Sequence, residues 1–420
     1  MKKYEYFECK LANNLRVLHL PLPNTSSVYI SLTGKVGRRA ELGNEIGSAH
    51  FLEHLLFDGT AKRPTSFELS NFIEQYGGQM NGSTGTEMAK YWVKLLDKYT
   101  EEGFEYLSDI FFNSSLLEID REKKIIAQEA KMKEDNKDDQ LRRLTRSILY
   151  PNQAMGRTIF DETSNTLNMT KEVLVSYFNR VYVSQNFVLT IAGNIDRRKA
   201  ISLAKKYFNQ FQEGNEVIFE KANFKKQETV KIVHNNNLKQ SKLSVNYRGY
   251  SFGSDEEQFV KLLNIILGQG LSSRLRNRIR NDLHLAYSIK SRANHASDCG
   301  FLSIDASTDE SNIQKALDEI FKTISKLLEN GITDEELVRA KNKLLSAILF
   351  NLENMQYYAE YFTNQLLLKG KIENLDKRFN KIQSASKKDL MRVANYIFSG
   401  SPKIVLLTKN LKKIDLNYKI

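Results

Sequence analysis

The chain has 420 residues, more than one compact core usually supports, which predicts two or three domains. Apolar residues make up 41% and charged residues 27%, as in folded globular proteins, so the composition excludes an intrinsically disordered chain. The 62 Lys and Arg against 50 Asp and Glu give a formal net charge of +12. Because the basic residues are dispersed, we expect a solvated lysine-rich surface and no nucleic-acid binding.

The sequence predicts neither a membrane-spanning segment nor an export or transit peptide. No uninterrupted apolar stretch approaches the roughly 18 residues that a membrane span requires. The N-terminal residues have no apolar run of signal-peptide length, and Glu5 and Glu8 do not suit an acid-poor transit peptide. The two cysteines, Cys9 and Cys299, have no ligand-like spacing and suit a reducing compartment. We therefore expect a cytoplasmic protein.

Both halves of the sequence begin with strand patterns and continue with helical ones. Three segments alternate apolar and polar residues with period two, which predicts strands: residues 27–33, 230–234 and 242–247. Residues 312–329 carry an apolar stripe at helical spacing, and this helix is expected to end at Asn330-Gly331. Thr333 and Glu336 form the capping box that opens the next helix.

A weak internal repeat relates the ends of the two halves. Thr170 opens a helical pattern that leads into an apolar strand at residues 187–192, and Ser386 opens an equivalent helix and a strand at residues 404–407. The offset is 216 residues (386 minus 170). The repeat predicts an α+β fold of two homologous domains, each an antiparallel sheet packed with helices. The expected boundaries are an N-terminal domain at 1–212, a linker at 213–227 and a C-terminal domain at 228–420.

The segment from His50 to His54 carries the strongest chemical signal. On a helix that Ser48 is expected to cap, His50 and His54 are four residues apart and project from one face, with Glu53 beside them. Burying two imidazoles and a carboxylate is costly without a ligand, and catalytic zinc sites use three protein ligands and one water. A carboxylate that does not ligate can take the proton from such a water, a role that fits Glu53. The alternative is a pair of hydrogen-bonded core histidines.

A third ligand is expected from the helical pattern at residues 116–130. Glu122 and Glu129 lie seven residues apart on one face, with Ile125 and Ile126 between them, so we expect this face to point inward. Two such acids can supply one metal ligand and one partner that orients a ligand histidine, although spacing alone does not assign the two roles. The alternative is that both are solvated charges on a lysine-rich helix.

The order His-x-x-Glu-His is the inverted zincin pattern, and with its surroundings it resembles the pitrilysin (insulinase-like) family of zinc metallopeptidases over nearly the whole chain. The resemblance is to half-length, mitochondrial processing peptidase-like bacterial members. It implies that Glu129, 75 residues after His54, is the third ligand and that Glu122 orients a ligand histidine. The repeat offset places His50 and His54 against positions without metal ligands, so one Zn2+ per chain is implied.

Further stretches resemble the family on both sides of the linker. Residues 77–87 resemble the segment that forms a sheet edge beside the metal, which assigns Asn81, Gly82, Ser83 and Thr84 to substrate binding. Gly82 replaces the usual alanine of that segment. Residues 151–158 and 186–196 resemble the loop after the ligand helix and the strand that closes the first domain, and Asp161 stands where a glycine is common. In residues 272–287, Arg280 and Tyr287 match the pair that holds the substrate backbone.

The resemblance implies a zinc-dependent endopeptidase that hydrolyses peptides or unfolded polypeptides in a chamber formed by dimerisation. An exposed strand near Asn81 pairs with the extended substrate, while Glu53 acts as the general base. Since the chain has both the zinc ligands and the pair Arg280 and Tyr287, we expect a homodimer. The alternative partner is an inactive homologue in a heterodimer. The alternative function is a non-catalytic structural or partner subunit of the same family, which typically lacks ligands of the inverted motif.

Overall fold

In the computed structural model, which describes residues 5–224, 229–411 and 413–415 apart from the side chains of 163 and 164, the strands form two sheets of related topology. The strands are β1 (Phe7–Lys10), β2 (Arg16–Pro21), β3 (Ser27–Gly34), β4 (Gln79–Thr84), β5 (Ala89–Leu96), β6 (Phe187–Gly193), β7 (Val230–His234), β8 (Ser241–Arg248), β9 (Ser288–His295), β10 (Gly300–Thr308) and β11 (Lys403–Thr408). The first sheet has the order β1-β2-β6-β3-β5-β4, and the second has the order β7-β11-β8-β10-β9.

The predicted α+β class with two related sheets is confirmed, with one addition to the strand pairing. In each sheet one pair is parallel, β2 with β6 in the first and β7 with β11 in the second. The other pairs are antiparallel. The parallel partner in each case is the closing strand of the repeat, which inserts beside the first strands of its half.

Helices make up most of the remaining chain. They are α1 (Ser48–Leu56), α2 (Ser66–Glu74), α3 (Thr100–Phe112), α4 (Ile119–Asp135), α5 (Lys137–Leu149), α6 (Ile159–Leu167), α7 (Lys171–Val181), α8 (Arg197–Phe208), α9 (Glu257–Leu267), α10 (Ile313–Asn330), α11 (Asp334–Leu352), α12 (Met355–Lys369), α13 (Leu375–Ser384) and α14 (Lys387–Phe398). A π-helix at Arg276–Asp282 precedes β9. None of the described helices combines the length and the apolar composition needed to cross a membrane.

The chain divides into two compact units that are discontinuous in sequence. Within the described residues, unit 1 comprises the chain up to Met132, Arg157–Glu220 and Asn351–Ile372. Unit 2 comprises Lys133–Gly156, Lys221–Phe350 and the chain from Glu373 onwards. Unit 1 therefore contains the first sheet and α12, and unit 2 contains the second sheet and α5. The predicted domains at 1–212 and 228–420 describe a division along the sequence, and they stay a prediction. Residues 225–227 of the predicted linker lie outside the described part of the chain.

Helix α12 is fixed to the first sheet by polar contacts within unit 1. Thr363 and Thr190 of β6 share a buried hydrogen bond of 2.6 Å between their hydroxyl groups. Arg16 of β2 donates to the carbonyl of Leu366 at 3.0 Å. Similarly, α5 is fixed to the second sheet within unit 2, where Ser147 accepts from Lys231 at 3.2 Å. Buried hydroxyl pairs of this kind specify position because an unpaired partner would be costly.

Most local predictions agree with the structure. The strands at 27–33, 230–234 and 242–247 correspond to β3, β7 and β8, and α10 ends at Asn330 as expected. Thr170 accepts from the backbone N–H of Val173, and Ser386 accepts from Asp389, so both residues of the repeat are N-caps. Thr333 and Glu336 make both hydrogen bonds of the predicted capping box.

The prediction for the start of α1 is wrong. The N-cap is Gly47, with a φ of 101°, and not Ser48, whose hydroxyl instead contacts Met169 Sδ at 3.6 Å inside the unit. Glu41 supplies the missing cap, because its Oε1 accepts the backbone N–H of Ala49 at 2.9 Å. The positive φ explains the preference for glycine at position 47. It turns the chain so that His50 and His54 enter unit 1.

Candidate metal centre

The three predicted ligand side chains converge in unit 1. His50 Nε2 lies 3.3 Å from His54 Nε2 and 3.3 Å from Glu129 Oε2. His54 Nε2 lies 3.6 Å from the same oxygen. In a tetrahedral zinc site with bonds of about 2.0–2.1 Å, neighbouring ligand atoms lie about 3.3 Å apart. The triangle therefore has the size that one zinc ion requires. It is the one potential metal-holding group of three or more His, Cys, Asp or Glu found in the described residues.

The second nitrogen of each histidine faces a carboxylate. His54 Nδ1 lies 3.0 Å from Glu122 Oε2, and His50 Nδ1 lies 3.3 Å from Glu162 Oε2. When Nδ1–H donates to a carboxylate, the Nε2 lone pair is left to bind a metal. Two such lone pairs and the Glu129 oxygen repel one another at this spacing unless a proton or a cation lies between them. The donor set therefore fits zinc.

The electrostatics of the two histidines follow from the same carboxylates. Burial opposes the charged form of His54, but hydrogen bonds to Glu122 and Glu129 outweigh burial and raise its pKa to about 9. For His50, burial is likewise outweighed by Glu129 and Glu162, which raise its pKa. Without a metal, a proton is thus held among these acids, and a divalent cation must displace it.

Helix α4 supplies both acids that the sequence singled out. Glu122 is buried and accepts from His54, whereas the side chain of Glu129 is 33% exposed at the ligand triangle. Burial would raise the pKa of Glu122, but His54 and Arg121 outweigh it and lower that pKa. Ile126 is buried as predicted, but the prediction for Ile125 is wrong, since it is 40% exposed and lines an open cleft. The inward stripe of α4 is therefore narrower than the periodicity indicated.

Glu162 is a residue of the site that the sequence analysis missed. It lies on α6 and is fully buried beside His50, with its Oε1 in an ion pair with Arg38. Asp161, the departure from the family pattern, builds this helix start by accepting from the backbone and side chain of Thr158 at 2.7 and 2.8 Å. Glu162 stands 112 positions from His50, so no spacing rule on one helix links the two.

A second buried acid, Glu41, lies in the same region. Burial and the charge of Glu162 together raise the pKa of Glu41 to about 8, so its protonated form is favoured at neutral pH. Burial acts in the same direction on Glu162, but His50 and Arg38 outweigh it and lower the pKa of Glu162. One carboxylate and one guanidinium therefore remain charged behind His50.

Glu53 faces an open cleft of about 480 Å3 in unit 1. His54, Phe57, Met80, Gly82 and Ile125 are among the residues that line it. No hydrogen bond or ion pair engages the Glu53 carboxylate within the part of the chain that the structure describes. A half-buried carboxylate without a protein partner, one residue before a ligand histidine, is available to exchange protons with a bound molecule.

Strand β4, with Asn81, Gly82, Ser83 and Thr84, forms the edge of the first sheet beside this cleft. It pairs with β5, and no other described strand pairs with its outer side. Arg38 donates to the carbonyl of Thr84 at 3.0 Å, and Gly82 N–H donates to the side chain of Asn81 at 2.8 Å. Since backbone groups of an antiparallel strand alternate in direction, the groups of Met80, Gly82 and Thr84 face outward. Between residues 80 and 83, the outer edge of β4 therefore has backbone groups that no described strand pairs with.

The predicted pair Arg280 and Tyr287 lies in unit 2. Arg280 is in the π-helix, is partly buried, and makes no hydrogen bond or ion pair within the described residues. Tyr287 is 56% exposed, and its hydroxyl lies 3.4 Å from Asp309 Oδ2. π-Helical turns are uncommon and are often found at functional sites. Both side chains are available to a ligand.

Comparison with known proteins connects this geometry to a family. A profile described as "Insulinase (Peptidase family M16)" matches residues 16–163, which include His50, His54, Glu129 and Glu162. A second profile, "Peptidase M16 inactive domain", matches residues 168–344. A Rickettsia felis protein named "Uncharacterized zinc protease" is 33% identical over 396 residues, which cover 93% of this chain and 94% of that protein. The chain belongs to the M16 (insulinase) peptidase family.

Other M16 proteins extend the likeness. The beta subunit of the mitochondrial-processing peptidase of Saccharomyces cerevisiae is 29% identical over 420 residues, with 94% of this chain and 88% of that subunit covered. A crystal structure of a protease from Helicobacter pylori superposes with a TM-score of 0.89 over 96% of this chain and 100% of that chain, at 23% identity. That structure supports the fold, and the M16 relatives support a zinc-protease-like function.

Proposed function

We propose that this M16 protein is a zinc-dependent endopeptidase of peptides and unfolded polypeptides. The triangle of His50 Nε2, His54 Nε2 and Glu129 Oε2, with sides of 3.3, 3.3 and 3.6 Å, carries the proposal. Zinc, when bound there, supplies a Lewis acid that polarises a carbonyl and lowers the pKa of an attacking water. The chain has all three ligands, which disfavours the alternative of a non-catalytic partner subunit.

Glu53 is the proposed general base and then the general acid. Glu53 lines the same cleft as His54, and its carboxylate has no hydrogen-bond or ion-pair partner among the described residues, so it is available to accept a proton. It removes a proton from water and returns it to the leaving amine of the cleaved peptide bond. Glu122 keeps His54 in the tautomer with Nδ1–H, so that the ring remains a ligand through both steps.

Strand β4 is the proposed binding site for the substrate backbone. An extended peptide can add to its open edge and form main-chain hydrogen bonds at Met80 and Gly82. Asn81 occupies the Gly82 amide with its own side chain, and the peptide carbonyl would replace that contact. Recognition through the backbone suits a protease that accepts many unfolded sequences.

Arg280 and Tyr287 are the proposed second contact to substrate. In the part of the chain that the structure describes, Arg280 has no carboxylate partner, and Tyr287 exposes its phenol, so both can donate to peptide carbonyls or to the oxyanion of the transition state. We further propose that two chains enclose the substrate as a homodimer, with a heterodimer as the other possible assembly. The presence of both zinc ligands and the Arg-Tyr pair in one chain favours the homodimer. Cys9 and Cys299 form no disulfide within the described residues, which supports a cytoplasmic location.

Digestion of an unstructured peptide library by the purified full chain tests the proposal. Cleavage sites are read by mass spectrometry, zinc content by elemental analysis and molecular mass by light scattering. We expect about one zinc per chain and cleavage that a chelator abolishes and zinc restores. Glu53→Gln is expected to retain zinc and to lose about 10²–10⁴-fold in kcat, as for removal of a general base.

Glu74→Gln is the matched control, since Glu74 is an exposed carboxylate at the end of α2 in the same unit. It should cleave like the wild type. Full activity in Glu53→Gln, or a zinc-loaded wild type that cleaves no peptide, would contradict the proposal. A chain that binds no zinc would favour the non-catalytic alternative.

A further inference from the structure

We propose that Glu162 is the positioning residue for the metal ligand His50. The inference rests on the zinc site proposed above and assigns a role to a residue outside the inverted motif and outside α4. His50 is 5% exposed and has two polar ring atoms. Nε2 points to the ligand triangle, and Nδ1 lies 3.3 Å from Glu162 Oε2. Nδ1 has no hydrogen bond elsewhere in the described residues, so Glu162 is its available acceptor.

At 3.3 Å the contact between His50 Nδ1 and Glu162 Oε2 is an ion-pair distance, and neither atom has another polar partner among the described residues. Because the imidazole is rigid, any rotation of the ring moves Nδ1 and Nε2 together, so the direction in which His50 presents its Nε2 lone pair depends on where Glu162 holds Nδ1. The His54–Glu122 contact of 3.0 Å performs the equivalent task for the other ligand. Each histidine thus has its own buried acid.

Glu162 is itself held rigidly. Arg38 forms an ion pair with its other oxygen, and the same guanidinium donates to the carbonyl of Thr84 at 3.0 Å. The carbonyl of Arg38 accepts from Arg157 at 3.4 Å. Turning Glu162 away from His50 would separate its Oε1 from the Arg38 guanidinium, and leaving that charge unpaired in a largely buried site is costly. These contacts also join the ligand histidine to the end of the edge strand β4.

Glu41 provides a matched comparison for Glu162. Both are buried glutamates of unit 1 near His50, but Glu41 accepts the backbone N–H of Ala49. Glutamine at position 41 can accept that N–H with its amide oxygen. Glutamine at position 162 keeps the size of the side chain but removes the charge that faces His50 Nδ1 and Arg38.

The test measures zinc dissociation constants of the full-length chain by competition with a chromogenic chelator. Loss of an outer partner of a ligand histidine weakens metal binding by about 10–100-fold, and this is expected for Glu162→Gln. Glu41→Gln is expected to bind zinc as the wild type does. The visible absorption of the Co2+-loaded chains reports ligand geometry, and it should change in Glu162→Gln alone. Thermal unfolding of the metal-free chains checks that both variants fold.

Glu162→Asp covers the case in which Glu162→Gln does not fold. Aspartate keeps the negative charge beside Arg38 but withdraws the oxygen from His50, so weaker zinc binding is again expected. Wild-type affinity and an unchanged Co2+ spectrum in a folded Glu162 variant would overturn the inference, while cleavage by the wild type would leave the proposed function intact. A wild-type chain that binds no zinc would overturn both. Zinc binding without peptide cleavage would overturn the proposed function alone.

Discussion

Gly82 leaves the space that the ring of Phe57 occupies. A Cβ atom at position 82 would lie 2.7 Å from Phe57 Cε2 and 3.0 Å from Glu53 Cγ. The first separation is too short for a packed protein, so Gly82→Ala must displace the Phe57 ring, and the second requires the Glu53 side chain to move by a few tenths of an ångström. The packing of Gly82 against Phe57 therefore lies directly beside the proposed base.

We predict that Gly82→Ala lowers kcat/KM for peptide cleavage by about 10–100-fold, because a catalytic group misplaced by 1 Å loses activity on that scale. Zinc affinity should not change, since the atoms that an added Cβ would meet belong to Phe57 and Glu53, and neither residue is a proposed ligand. The double variant Gly82→Ala, Phe57→Leu makes room for the methyl group and should recover most of the loss. Steady-state kinetics of the three proteins on one peptide measure this. Wild-type kinetics of Gly82→Ala would show that the crowding has no consequence.

Zinc binding is predicted to release protons at pH 7. The pKa of metal-free His54 is raised to about 9, so its protonated form is favoured below that pH, and zinc requires the neutral ring. Zinc affinity should therefore rise with pH from about 7 to about 9 and then level off. Calorimetry in two buffers of different ionisation enthalpy measures the protons released. Glu122→Gln removes a cause of the raised pKa and should release fewer, whereas equal heats in both buffers for the wild type would contradict the prediction.

Glu257 is predicted to stabilise unit 2 against acid. Burial alone would raise its pKa, but the charge and hydrogen bond of Lys261 and the backbone N–H of Gly253 outweigh burial and lower it to about 2. The folded pKa lies below the unfolded one, so the contribution is complete above about pH 4.5 and is lost as pH falls towards about 2. At about 1.4 kcal/mol per pH unit, it amounts to about 3 kcal/mol at neutral pH.

Denaturant unfolding of Glu257→Gln and wild type at pH 7 and at pH 3 measures this contribution. The variant should be less stable at pH 7, and the difference should shrink at pH 3. Glu256→Gln is the control, because Glu256 pairs with Arg392 at the surface and should change stability by less than about 1 kcal/mol. A difference between Glu257→Gln and wild type that grows on acidification would contradict the sign.

Backbone methylation of the substrate is predicted to impair cleavage. If a peptide adds to the open edge of β4, its N–H groups must donate to outward carbonyls such as that of Gly82. Peptides of one sequence, N-methylated at single positions around the cleavage site, keep every side chain and lose one donor each. We expect alternate positions to raise KM, because only every second residue of a strand faces its partner. Equal kinetics for all methylated peptides would argue against strand addition.

The sequence predicted the residues whose relation is local. His50 and His54 share a helix face, Thr170 and Ser386 cap their helices, and Glu122 faces His54 as the family pattern implied. The sequence analysis failed where a contact joins segments that are far apart in the chain. Glu162 reaches His50 through the packing of α6, and no periodicity shows that. A positive φ at Gly47 makes Ser48 the first residue of α1 rather than its N-cap. The Ala49 N–H at the start of this helix therefore donates to Glu41 instead.

The composition of the two units also lay beyond sequence reasoning. Periodicity identifies α5 and α12 as helices but does not say which sheet each will cover. Thr190 and Thr363 are ordinary positions in their own elements, and their shared hydrogen bond of 2.6 Å, with that of Arg16 to Leu366, shows that α12 belongs with the first sheet. Apolar faces of this kind accept any helix of matching shape, so specificity comes from a few buried polar pairs.

The placement of α12 has a consequence for synthesis of the protein. Domains usually fold as units while the chain emerges, with N-terminal ones first. Unit 1 takes its last segment from Asn351–Ile372, so the metal-ligand unit of this 420-residue chain cannot be completed until residue 372 has been translated. Until then the face of β6 that meets Thr363 remains uncovered on the nascent chain. The order of translation thus delays completion of unit 1, with its metal-ligand residues, until nearly the whole polypeptide has been synthesised.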